Sequence, residues 1–208
     1  MIRIENLSFQ YSKDRVLSFP NFSSGTEPLL ILGPSGSGKT TLLHLMAGIL
    51  MPLDGAVYWQ NELVNSLSKG KIDTIRGKEI SIIFQKPHFI HALNVEENIK
   101  IQALINNKTI DQNEFKAFTE RLNISHLLAK KTNELSQGEK QRITIARALV
   151  CKPKYLLADE PSAALDDKNT AEVLDLLCNE TNKIGSHLVI ITHDQRVKDK
   201  ISKRIQLV

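Results

Sequence analysis

The stretch "LLILGPSGSGKTT", Leu29 to Thr41, decides how the rest of the chain is read. Leu29–Leu32 is apolar without alternation, which predicts a short strand buried on both faces. Gly33-Pro34-Ser35-Gly36-Ser37-Gly38-Lys39-Thr40 then matches the pattern G-x-x-x-x-G-K-[ST], with Thr41 following. A helical pattern over Thr40–Leu50 comes next. Glycines at 33, 36 and 38 let the backbone turn tightly and aim several N–H groups at one point. The positive end of the following helix points the same way. Such a cradle suits a chain of phosphates, with Lys39 reaching the terminal ones and the Thr40 hydroxyl suited to Mg²⁺. Across proteins glycine makes up about 7% of residues on average, so the four specified positions match by chance in roughly one chain of this length in a hundred.

Other short apolar runs recur downstream: Ile80–Phe84, Tyr155–Ala158 and Leu188–Ile191. Helical patterns at Glu114–Lys130, Gly138–Val150 and Asn169–Ile184 alternate with them. This alternation predicts an α/β fold with a doubly wound, mostly parallel sheet. Arg3–Gln10 and Gly55–Gln60 read as antiparallel strands of a small β subdomain. Pro87 to Lys131 has little strand character and reads as a helical insertion. The expected organisation is one domain over 1–208 with a helical subdomain at roughly 87–150.

The bulk composition agrees with a folded domain. The 208 residues are 41% hydrophobic and 24% charged, with a net charge of +4. The basic residues are scattered, which argues against a nucleic-acid track. No apolar run approaches the ~18 residues needed to span a bilayer, and the first residues lack the form of a signal peptide. Cys151 and Cys178 have no metal-ligand spacing and are expected to be reduced thiols. The six histidines form no ligand cluster.

Three further motifs point at a phosphate site. The run Tyr155–Glu160 is an apolar strand that ends in Asp159-Glu160, two carboxylates where sheet ligands bind. Asp159 suits Mg²⁺, and Glu160 is placed to polarise an attacking water. Gln85 and His193 also follow apolar strands and are expected on the same sheet edge. "LSQGEKQR", Leu135–Arg142, admits two readings. Ser136 and Glu139 have the spacing of a capping box, while Gly138 suits a bare helix tip offered to an anion.

Together these motifs resemble the ATP-binding cassette (ABC) ATPases, in the family's order and along nearly the whole chain. Gly33–Thr40 looks like Walker A, Gln85 like the Q-loop, Leu135–Glu139 like the signature and Tyr155–Glu160 like Walker B. Ser162–Asp166 looks like the D-loop and His193 like the switch histidine. Tyr11 stands where the family has an adenine-stacking aromatic. Gln137 replaces the signature's first glycine, and glutamine resists positive φ. The run "LLHLMAG" and the compact length are similar to the lipoprotein-release, macrolide-export and cell-division subgroup.

The resemblance implies a P-loop NTPase core that binds ATP and Mg²⁺ and hydrolyses ATP between two copies paired head to tail. Glu160, His193, Lys39 and Gln85 are the implied catalytic residues, and Thr40, Gln85 and Asp159 the metal-binding ones. Nucleotide contacts are implied for Tyr11, residues 33–41, Ser136, Gly138 and Asp166. A separate integral membrane permease is expected to dock near 86–97, with the chain cytoplasmic and peripheral on the inner face of the membrane. The competing readings are a non-transport ABC ATPase acting on nucleic acid or ribosomes, and a P-loop kinase or GTPase.

Overall fold

The structure is a computed structural model and describes all residues except Lys13, Asp14, Ala164, Asp199 and Val208. The chain begins with β1 (Ile2–Ser12), β2 (Arg15–Ser18) and β3 (Phe22–Ser23), then β4 (Leu29–Leu32) and α1 (Lys39–Met46). β5 (Asp54–Trp59), β6 (Glu62–Leu63), α2 (Lys69–Glu79) and β7 (Ile80–Ile83) follow. Next are α3 (Val95–Ile105), α4 (Gln112–Arg121) and α5 (Gln137–Leu149). The chain finishes with β8 (Tyr155–Asp159), α6 (Asp167–Lys183), β9 (His187–Thr192) and β10 (Arg204–Gln206).

Two sheets form. One is antiparallel, ordered β2-β1-β5-β6, with β3 also on β1. The other is wholly parallel, ordered β10-β4-β9-β8-β7. The unbroken apolar runs are explained by burial on two sides. Leu29 and Ile31 join a core shared with α1 and the antiparallel sheet. Leu30 and Leu32 face the opposite core, with Leu149 from α5 and Leu174 and Leu177 from α6. A third cluster holds the helical part together: Val95, Ile99, Phe115, Leu122, Leu127, Ile143 and Ala146. α5 contributes to both the second and third clusters, so it belongs to the sheet core and the helical part at once.

Two predicted helices are shorter in the structure. The helix expected over Glu114–Lys130 ends at Arg121, because Asn123 adopts φ 54° and turns the chain. Asparagine is among the few side chains that tolerate this left-handed stop. A 3₁₀ turn at Ser125–Leu127 then returns Leu127 to the same core. The helix expected over Thr40–Leu50 ends at Met46. Gly48 takes φ +65°, and a Cβ there would meet the Trp59 ring at 2.9 Å.

Candidate active site

A parallel sheet sends all its strand ends to one edge, and the register brings four of them level. Leu32 of β4 pairs with Thr192 of β9, Ile191 with Asp159 of β8, and Ala158 with Ile83 of β7. The segments that follow these strands carry Gly33, His193, Glu160 and Gln85, so residues far apart in sequence meet at this edge. A cleft of about 530 Å³ lies there. Its walls include Tyr11, Ser35, Gly36, Gly38, Lys39, Thr40, Thr41, Gln85, Asp159, Glu160 and His193.

The loop from Gly33 to Gly38 opens α1. Gly36 and Gly38 adopt φ +81° and +88°, a region that side chains rarely enter. Lys39 folds back, its Nζ donating to the carbonyls of Gly33 (2.8 Å) and Pro34 (2.9 Å). Gly33 and Pro34 do not face the cleft. They line a smaller cavity behind the loop, which also touches His193. Ser37 Oγ is buried without a hydrogen-bond partner among the described residues. The Tyr11 and Thr41 hydroxyls are 3.1 Å apart on the cleft wall, with Tyr11 68% exposed.

The two carboxylates are almost out of water, Asp159 at 5% and Glu160 at 7% exposure. Thr40 Oγ1 donates to Asp159 Oδ2 at 2.8 Å. Glu160 accepts from the Thr192 hydroxyl (2.6 Å) and the His193 backbone N–H (3.1 Å), and His193 Nδ1 stands 2.6 Å from its Oε1. Lys39 Nζ is 4.0 Å from the same oxygen. The Glu160 backbone has φ 50°, unusual for a non-glycine residue, and its N–H donates to Ile191 O at 2.8 Å. Thr40, Asp159 and Gln85 offer only oxygen donors with a single carboxylate. That suits a hard cation whose shell is completed by water and phosphate.

Burial pushes the Asp159 carboxyl above its usual range. The Thr40 bond opposes this and the Glu160 charge adds to it. An acid raised on folding binds more protons in the folded state, so its stabilising contribution is present at low pH and is lost as pH rises through the folded value. Asp159→Asn is therefore expected to raise the melting temperature of the nucleotide-free chain at pH 7, by about 2–4 °C per kcal/mol relieved. The gain should shrink toward pH 4. Melts at both pH values test this, and a lower melting point at pH 7 would contradict it.

Ser136, Gly138 and Asp166 do not line this cleft. Ser136 caps α5 in a full capping box, accepting from Glu139 N (3.3 Å) while its own N–H donates to Glu139 Oε2 (2.7 Å). These bonds hold the Glu139 carboxyl below its usual range. Gln137 is the first residue of α5 and is not among the positive-φ residues. The expected conflict between glutamine and a left-handed backbone does not arise, because the helix has already begun. A Cβ on Gly138 would meet only Asn169, at 3.6 Å, so packing inside the chain does not require glycine there. Asp166 caps α6, accepting from Asn169 N at 2.8 Å. Of the segment Ser162–Asp166, Ala164 lies outside the described residues.

Sequence reasoning missed Arg15 and Leu17 on the cleft wall and the buried Thr192 beside it. Arg15 donates to the Gly36 carbonyl at 2.7 Å, and Thr192 holds Glu160. The hydroxyl beside His193 was the available signal for Thr192. Arg15 reaches the loop only through the pairing of β2 with β1.

A model of the ABC transporter family matches residues 22–163. The lipoprotein-releasing system ATP-binding protein LolD of Buchnera aphidicola subsp. Acyrthosiphon pisum is 34% identical over 200 residues, covering 95% of this chain and 82% of that protein. LolD of Xanthomonas campestris pv. campestris is 32% identical over 214 residues, covering 100% and 90%. The dimeric post-hydrolysis state of the ATP-binding cassette MJ0796, bound to ADP and Pi, superposes with a TM-score of 0.86. It is 30% identical and is matched over 100% of this chain and 94% of that one. CbiO1 from Clostridium perfringens, part of the ABC transporter complex cbiONQ, gives 0.88 at 31% identity, with coverage of 99% and 84%. With the family model spanning most of the chain and these likenesses running along its length, the chain belongs to the ABC transporter family, as an ATP-hydrolysing nucleotide-binding subunit.

Proposed function

We propose that the chain works as a motor that hydrolyses MgATP between two copies paired head to tail and drives a separate membrane permease. The observation that carries this is the division of the site. Lys39, Thr40, Asp159, Glu160 and His193 gather on one cleft, while the Ser136 helix tip stands apart from it. Gly138 has no packing reason within one chain, which suits a surface that another molecule must approach closely. The dimeric MJ0796 cassette supports a pairing of two copies.

In this reading Tyr11 stacks on the adenine, and Lys39 leaves the Gly33 and Pro34 carbonyls to reach the terminal phosphates. Backbone N–H groups of residues 33–41 cradle the phosphate chain, with the Ser35 and Ser37 hydroxyls beside it. Thr40, Asp159 and Gln85 would hold Mg²⁺, which when bound offsets phosphate charge. Glu160, fixed by Thr192 and the His193 amide, orients the attacking water and accepts its proton. His193 turns from Glu160 toward the γ-phosphate. The partner copy's Ser136 helix tip closes over that phosphate, and Asp166 lies where the two copies meet.

The permease docks at residues 86–97, just beyond Gln85. No described helix is long and apolar enough to cross a membrane, so transport needs such a partner, and the chain works on the inner face of the membrane. The LolD relatives support release of a lipid-anchored protein as the work done.

Ser136→Asp tests the split site. Aspartate caps helices about as well as serine, so the melting temperature should stay near wild type. A carboxylate facing phosphate should nevertheless abolish ATP-dependent pairing and lower turnover about 10²-fold or more, the scale for losing one transition-state donor. Wild-type turnover in this variant would remove Ser136 from the site.

A further inference from the structure

The loop after Gln85 is fastened to the helical part by three side chains. Arg147, in the last turn of α5, donates to the His88 carbonyl and lies over the Phe89 ring, 5.2 Å from its centroid. Asn98 of α3 is 0% exposed. It accepts from Ile90 N (2.8 Å) and donates to the carbonyls of Ile90 (3.1 Å) and Asn94 (2.9 Å). Lys131 Nζ donates to Ala92 O at 2.7 Å. α3 and α5 are locked together through Val95, Ile99, Ile143 and Ala146. Gln85, three residues before His88, instead faces the nucleotide cleft.

α5 therefore has two functional ends. Its first turn carries Ser136 and Gly138. Its last turn, roughly 15 Å away at 1.5 Å per residue, carries Arg147. Holding a half-buried guanidinium is costly, and burial pulls its pKa below the usual value. The planar cation can bind a carbonyl and stack on a ring together, which an apolar side chain or lysine cannot match.

We propose that Arg147 is a positioning residue that makes the 88–94 loop move with α5, so that closure of the Ser136 helix tip on a partner's ATP is passed to the permease-docking loop. The same loop is tied through Gln85 to the chain's own ATP. It is thus set by both nucleotides of the pair. This rests on the head-to-tail reading above.

Hydrogen exchange of the full chain, with and without MgATP, tests it in a hydrolysis-blocked background. In Glu160→Gln, MgATP should slow exchange in peptides covering 33–41 and 135–142 and change it in peptides covering 86–94. In Glu160→Gln/Arg147→Gln the first two responses should remain and the 86–94 response should shrink, most of all around His88 and Phe89, which Arg147 holds. Arg147→Lys, which keeps the charge but not the planar fork, should give an intermediate response. A response at 86–94 as large in the double variant as in the single one overturns the proposal. So does faster 86–94 exchange in both states with the MgATP difference preserved, which marks a merely structural role. Absence of any response at 33–41 and 135–142 in the single variant overturns the head-to-tail reading and this proposal with it.

Discussion

Glu160→Gln is expected to bind ATP normally, to lower turnover about 10²–10⁴-fold, the range for removing a positioned proton acceptor, and to accumulate as a paired species in MgATP. The substitution preserves shape. A glutamine carbonyl oxygen can still accept from the Thr192 hydroxyl or the His193 N–H, which now fix Glu160. What it cannot do is take a proton from water. Binding and closure should therefore survive while the step that reopens the pair does not occur. Steady-state phosphate release and size-exclusion chromatography with MgATP measure the two halves. Unchanged turnover would remove Glu160 from the chemistry, and persistent monomers would argue against closure on the nucleotide.

Lys39→Met should act chiefly on binding. Its ammonium lies beside the Gly33 and Pro34 carbonyls and 4.0 Å from Glu160. Hydrogen bonds to charged groups contribute about 1.5–3 kcal/mol each, so losing one to a phosphate should weaken ATP binding by roughly 10- to 150-fold. A methionine fills similar volume, which limits the packing loss. The removed charge also leaves Asp159 and Glu160 as buried neighbours without that cation, so the nucleotide-free chain should melt lower. Titration calorimetry and thermal melts separate the two effects. Wild-type ATP affinity would show that Lys39 never leaves the loop carbonyls.

Much of this site was legible because its signals are local. Gly33–Thr40 specifies a turn and a helix start within eight residues, and Asp159-Glu160 sits directly on an apolar strand. The parallel sheet was legible because Leu29–Leu32 and Tyr155–Ala158 show no alternation, the mark of burial on two faces. The strand order β10-β4-β9-β8-β7 was not, since it depends on pairings between residues as far apart in the chain as Ile31 and Ile205. The end of α4 was missed because its stop is an asparagine rather than a glycine. Ser136 shows a different limit. Its cap bonds lie three residues away and could be read directly, while the reason for Gly138 is absent from the isolated chain.

Glu160 stands in a backbone posture that L-residues seldom take, at φ 50°. Such postures cost on the order of 1–3 kcal/mol. A laboratory lineage selected only to survive heat would be drawn to Glu160→Gly or Glu160→Asn, replacements at ease in that posture. The acid proposed to orient the attacking water would be among the first things discarded, so screens for robust variants of this ATPase must score turnover alongside survival.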